Sequence, residues 1–175
     1  MSRPILADAF GHHIWATLRV IDACAALPPE QLQTTVPGTF GSILDTLRHL
    51  VGADRSYLAL LSGGAVDRID DATEEAMDLP ALRAALVENG PVWATVVTGD
   101  LDPDKMLTRY REDGASSSAP LGIRLAQVIH HGTDHRSQIA TALTTLGVTP
   151  PEIDVWDFAF TQGRLVDVAP PSPTA

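Results

Sequence analysis

The chain has 175 residues, of which 45% are hydrophobic and 19% charged, a composition suited to one soluble globular domain with a real core. Its net charge is −10, and its 12 basic residues are scattered, so no phosphate-tracking surface is expected and nucleic acid is excluded as a partner. The single Cys24 cannot form an intrachain disulfide, and neither a signal peptide nor an apolar run long enough for a membrane span is apparent, so a cytoplasmic setting is expected.

Taken in chain order, residues 4–26 carry Ile5, Phe10, Ile14, Leu18, Ile21 and Ala25 at steps of three to five, which predicts an amphipathic helix closed off by Pro28 and Pro29. Cys24 reads as a small buried hydrophobe on that helix. "VPGTFG" is punctuation, and Ser42 opens a second helix as its cap, with Asp45 three residues on. That helix runs through Leu44, Leu47, Leu50, Leu58 and Leu61 to Gly63-Gly64. Residues 62–80 read as a polar connection. A third helix spans about 81–97, and Pro91 should kink it.

"KMLTRYREDGASSSA" alternates around a turn signal, predicting a short hairpin over 105–119. The fourth helix starts at Pro120 and is capped by Gly147, roughly 40 Å long at 1.5 Å per residue. Its inward stripe is Leu121, Leu125, Val128, Gly132, His135, Ile139 and Leu143. "PPEIDVWDFAF" predicts a small closing helix with Trp156 and Phe158 packed inward. Residues 166–175 read as a disordered Pro-rich tail, leaving 1–165 as the domain. The fold class is all-α, a four-helix bundle. The link of about nineteen residues between helices two and three is longer than antiparallel neighbours need, so the topology favoured is up-down-down-up.

"VIHHGTDHRSQ", residues 128–138, carries the chemistry. His131 and His135 are four apart and share a helix face at the border of the apolar stripe. About 0.2 such spacings arise by chance in a chain with this many histidines, so the spacing decides nothing alone. Two imidazoles buried there without a partner would cost a few kcal/mol, which a divalent metal would remove. The third ligand would come from another helix, and His49, flanked by core leucines, is the best candidate. It lies roughly 10 Å inside helix two, and His135 roughly 18 Å from the end of helix four, so antiparallel helices would bring them to one level. The alternative at this point is a set of satisfied core histidines. Three histidine ligands would leave a coordination position open, as catalytic sites do. His130 points about 100° away and reads as a surface residue. His13 is an ordinary boundary histidine or lines the pocket mouth; it is also the sole, poor candidate for a general base. Asp45 caps its helix or orients His49.

Three segments resemble the DinB-like (DNA-damage-inducible) metalloprotein superfamily. They are "LPPEQLQTTVPGTFGSILDTLRHLVGADRSYLALLSG", the motif "HHGTDHRSQIATALTTLG" with Arg136 and Gln138 after the histidines, and "PPEIDVWDF". The resemblance implies a four-helix bundle with up-down-down-up topology and one divalent metal held by His49, His131 and His135. Related families include thiol-dependent enzymes that use mycothiol, bacillithiol or glutathione in transfer or isomerisation. It therefore implies a metal-dependent enzyme, a thiol-dependent transferase or isomerase or a hydrolase, acting on a small molecule, with a low-molecular-weight thiol as a further cofactor. Zinc or nickel leads among the metals and iron remains open, since imidazole suits each. The alternative function is a non-catalytic, metal-stabilised module of the stress response. A homodimer is also compatible with the resemblance. The chain departs from the family pattern at Gly90-Pro91, at Asp134 and at Ser137.

Overall fold

The computed structural model describes residues 3–111, 113–166 and 168. The chain is mostly helical. Four long helices, α1 (Leu6–Cys24), α2 (Ile43–Leu61), α4 (Leu79–Thr98) and α5 (Leu121–Thr145), are joined by short elements. These are a 3₁₀ turn at Gln31–Gln33, α3 (Asp71–Ala76), α6 (Val155–Thr161), and the strands β1 (Met106–Tyr110) and β2 (Ser116–Pro120). The two strands pair antiparallel with Met106 opposite Pro120 and Tyr110 opposite Ser116, so the expected hairpin is present and the chain is not purely α.

Local chemistry sets the boundaries. Ser42 and Asp45 form a reciprocal capping box at the start of α2. Asp70, Asp78 and Asp154 each accept a backbone N–H three residues on, at 2.8–2.9 Å, and so start α3, α4 and α6. Gly63, Gly64 and Gly147 take positive φ just beyond α2 and α5, a conformation side-chain-bearing residues resist.

Three expectations need correction. The polar connection at 62–80 contains α3. Its cap Asp70 provides the start signal, but six residues are too few to show periodicity. The third helix continues through Pro91 as expected: α4 runs from Leu79 to Thr98 with the ring on the exposed side, where it removes one backbone bond. Ile5 is 94% exposed and precedes α1, and Ala25 is exposed beyond its end, so neither extends the α1 stripe. Trp156 is 70% exposed; on α6 it is Phe158 that is buried, against Trp15 and His12 of α1. The tail expected to be disordered lies almost wholly outside the described residues.

Helix α1 packs on α4 and α5, and α2 packs on the same two. Inside, apolar side chains form two clusters. One holds Val20, Ile21, Leu47, Leu82, Leu86, Ile139 and Leu143; the other holds Phe10, Leu58, Trp93, Val97, Leu125 and Val128. A buried polar layer of His13 and Thr17 from α1, Asp54 from α2, Asn89 from α4 and Arg136 from α5 lies between them in every long helix. Along α1 and α5 the second cluster comes first; along α2 and α4 the first does. All seven residues of the predicted α5 stripe are buried. Cys24 is fully buried, and burial pushes its thiol up to about 12, which suits a core hydrophobe. Among the described residues no helix is long and apolar enough to cross a membrane.

Candidate metal centre

At the level of the polar layer, on the seam where α2 meets α5, three imidazoles converge. His49 stands on α2 between the buried Leu47 and Leu50, and is itself half-buried. His131 and His135 stand one turn apart on α5, facing it. The Nε2 atoms of His49 and His131 are 3.1 Å apart, and one ligand atom from each of the three lies within 4.8 Å of the others. Nitrogen ligands at 2.0–2.1 Å from one tetrahedral ion are separated by roughly 3.3 Å, so the donor set fits a metal. Without a metal, the Nε2 atoms of His49 and His131 have only each other as partners among the described residues. Two imidazole nitrogens facing each other can share one proton at most, and the pair then has no other protein partner among the described residues.

The electrostatics point the same way. Burial, followed by repulsion from His135 and His49, lowers the His131 pKa to about 4. Burial and then His135 lower that of His49. Both rings are therefore neutral near pH 7 and offer the lone pair that ligation requires. His135 Nδ1–H donates to Gln138 Oε1 at 3.1 Å, which leaves Nε2 directed to the cluster. The same Gln138 oxygen accepts the Phe40 N–H at 2.9 Å. The Phe40 ring stacks on His49 with centroids 4.1 Å apart and planes 14° apart, and meets His135 edge-on at 5.6 Å. Phe40 lies in the stretch read as punctuation, and no periodicity marks it.

The remaining candidates separate cleanly. Asp45 is a cap: its carboxylate accepts from Ser42 N and Ser42 Oγ, not from His49. His130 and Asp134 are exposed, as their phase on α5 requires. His13 is not at a pocket mouth. It is 1% exposed, its Nε2–H donates to Asp54 Oδ1 at 2.9 Å, and its Nδ1 accepts from the Arg136 guanidinium at 3.1 Å. Because arginine can only donate, this tautomer is determined, and the ring is neutral between an anion and a cation. Asp54 also accepts from Trp93 Nε1 at 3.0 Å and from Asn89 Nδ2 at 2.7 Å. Gly132 makes room for the arrangement, since a Cβ there would lie 2.6 Å from His13 Nδ1. The sequence offered the residue types of this layer but no spacing that ties four helices together.

A cleft of about 240 Å³ opens on His49 and His131, lined also by Tyr57, Arg68, Glu74 and Arg109. Burial, then Asp71 and Glu75, push the Glu74 carboxyl above its ordinary value. Larger grooves of about 450–520 Å³ elsewhere on the molecule touch none of the three histidines, and their size alone does not make them the site of chemistry.

The family model described as DinB family matches residues 1–169. The chain belongs to the DinB family. The match spans every described helix and both strands, so the histidine cluster is part of the DinB domain, not of an appended segment. No curated protein matches the chain.

Proposed function

We propose that this DinB-family chain binds one divalent metal ion through His49, His131 and His135 and works as a metal-dependent enzyme. The reaction class is a thiol-dependent transfer or isomerisation, or a hydrolysis, on a small molecule in the adjoining cleft. The observation that carries the reading is the convergence of three ligand nitrogens within 4.8 Å of one another. Zinc or nickel suits the donor set best, with iron as the further choice. When bound by three neutral imidazoles, such an ion would lower the pKa of a water or a thiol at its remaining position.

The chain's own residues have separate tasks. Burial keeps His49 and His131 unprotonated near neutral pH. Gln138 fixes the His135 tautomer, and Phe40 covers one face of His49 from water. Glu74, with its raised pKa, holds a proton at the cleft wall more readily than an ordinary glutamate.

The same reading takes residues 1–165 as one up-down-down-up four-helix bundle. The opposite order of the two core clusters along α1 and α5 versus α2 and α4 supports it. It places the protein in the cytoplasm, with a homodimer as the favoured assembly and no nucleic-acid partner at a net charge of −10.

The test is turnover of a panel of electrophiles and esters, with and without low-molecular-weight thiols, by metal-loaded wild type, metal-stripped protein and His135→Ala. Turnover confined to the metal-loaded wild type is expected. A panel with no metal-dependent turnover, together with unfolding on metal removal, would contradict catalysis and favour the structural module.

A further inference from the structure

We propose that the cleft beside the three histidines selects a small molecule bearing an oxyanion, a carboxylate or phosphate, held between Arg68 and Arg109. The proposal rests on the metal-centre reading only for where the reacting end of that molecule lies.

A chain of net charge −10 repels anions at long range, so an oxyanion site in it needs cations set aside locally. Most are committed elsewhere. Arg3, Arg48, Arg55, Arg83, Arg111 and Arg164 each face a carboxylate. Arg19 lies over Trp15, and Arg124 and Arg136 are buried donors within the fold. Among the described residues Arg68, Lys105 and Arg109 pair with no carboxylate, and of these Arg68 and Arg109 line the cleft that His49 and His131 line.

They reach it from different elements. Arg55 Nε donates to Asp67 O at 3.0 Å, and Arg48 Nε donates to Met77 O at 2.9 Å, so segment 67–77 lies antiparallel along α2. Arg68 is thereby held beside Arg55, in the cleft that Ser56 and Tyr57 also line. Glu74 comes about a turn closer to His49, its carboxylate pressed on Gly52 where no Cβ would fit. Arg109 is carried by the hairpin, on the same strand face as Leu107, which packs on the apolar cluster. The hairpin is fastened by the buried Arg124, whose guanidinium donates to Leu107 O at 2.9 Å and Ser117 O at 3.0 Å.

Asp71 and Glu74 also line the cleft, but they do not neutralise its arginines. Among the described residues neither carboxylate forms an ion pair with Arg68 or Arg109. Along α2, Arg68 thus lies farther from His49 than Glu74 does, and Arg109 joins the lining from the hairpin. An oxyanion seated on Arg68 leaves the part of the cleft towards His49 and His131 for the rest of the molecule. A volume of about 240 Å³ suits a short-chain acid or phosphate ester. Guanidinium forks match both oxyanions, and Tyr57 and Ser56 add hydroxyl donors.

The experiment is calorimetric titration of the full chain at low ionic strength with succinate, inorganic phosphate and the neutral analogue succinamide. Metal-loaded and metal-stripped protein are both used, and metal content is measured in parallel. Saturable binding of succinate or phosphate but not succinamide is expected, weakening as salt rises. Arg68→Gln and Arg109→Gln, both on exposed side chains, should each weaken it by about tenfold or more with melting temperature and metal content unchanged. Tighter succinate binding assigns a carboxylate and tighter phosphate binding a phosphate. Equal affinity for succinamide, wild-type affinity in either variant, or no anion binding at all would overturn the proposal. If the anion binds to wild type that takes up no metal, this proposal stands and the metal-centre reading falls.

Discussion

Two sets of imidazole nitrogens occupy the same level of the molecule and differ in what surrounds them. His13, inside the polar layer, has a protein partner on each nitrogen: Asp54 accepts from one and Arg136 donates to the other. His49 and His131, on the α2–α5 seam, point their Nε2 atoms at each other across 3.1 Å. In the first case the fold satisfies the ring completely, and the histidine ties α1 to α2 and α5. In the second the fold brings like groups together and leaves them at most one proton to share. Burial alone therefore does not mark a functional histidine. What sets His49, His131 and His135 apart is a convergent donor set that could hold a metal ion.

The contrast can be broken from either side. The largest effect should come from Asp54→Ala, which strips the acceptor from His13, Asn89 and Trp93 together and leaves the Arg136 charge buried without its anion. Urea denaturation should show a loss of about 3–5 kcal/mol. A loss well under that would mean the layer does not hold the helices together. Gly132→Ala drives a Cβ to within 2.6 Å of His13 Nδ1 and should cost about 1–3 kcal/mol by the same measurement.

On the other side of the comparison, Gln138→Ala should lower metal affinity by about 10- to 100-fold, read by competition with a chromophoric chelator, while leaving the melting temperature of metal-stripped protein nearly unchanged. The pH dependence is gentler. The folded pKa of His131 is about 4 against an ordinary 6.5, so between those values the unfolded chain binds more protons than the folded one. The contribution of His131 is present above pH 6.5 and is lost as pH falls towards 4, and metal-stripped protein should melt at progressively lower temperature across that window. A melting temperature flat in pH there would show that the seam does not hold its histidines neutral. The smallest effect is expected for Phe40→Ala, which removes the ring stacked on His49 and should weaken metal binding several-fold without altering stoichiometry.

Much of this is legible in the residues alone. The four long helices followed from leucine and isoleucine spacing, and the α5 stripe was correct at every position because twenty-five residues give the period time to declare itself. The pairing of His131 with His135 came from a four-residue step, and His49 from its place among core leucines. Six-residue α3 offered no period to read, and its one signal, an aspartate cap, lay inside an acidic run. The polar layer was hidden for a different reason. His13, Asp54, Asn89 and Arg136 sit on four helices up to 123 residues apart, and nothing local distinguishes a buried Asp54 from a solvated one. Phe40 was missed because a lone aromatic in a glycine-rich turn reads as exposed, which at 55% it largely is, although its ring covers His49.

The central claim is that His49, His131 and His135 form one metal centre, and cobalt titration of metal-stripped protein tests it most directly. Visible absorption bands of low-symmetry cobalt bound through nitrogen should rise to a break at about one ion per chain. They should be absent in His131→Ala, whose helical circular dichroism matches wild type. No stoichiometric break in the wild type, or an unchanged spectrum and break in His131→Ala, would contradict the account.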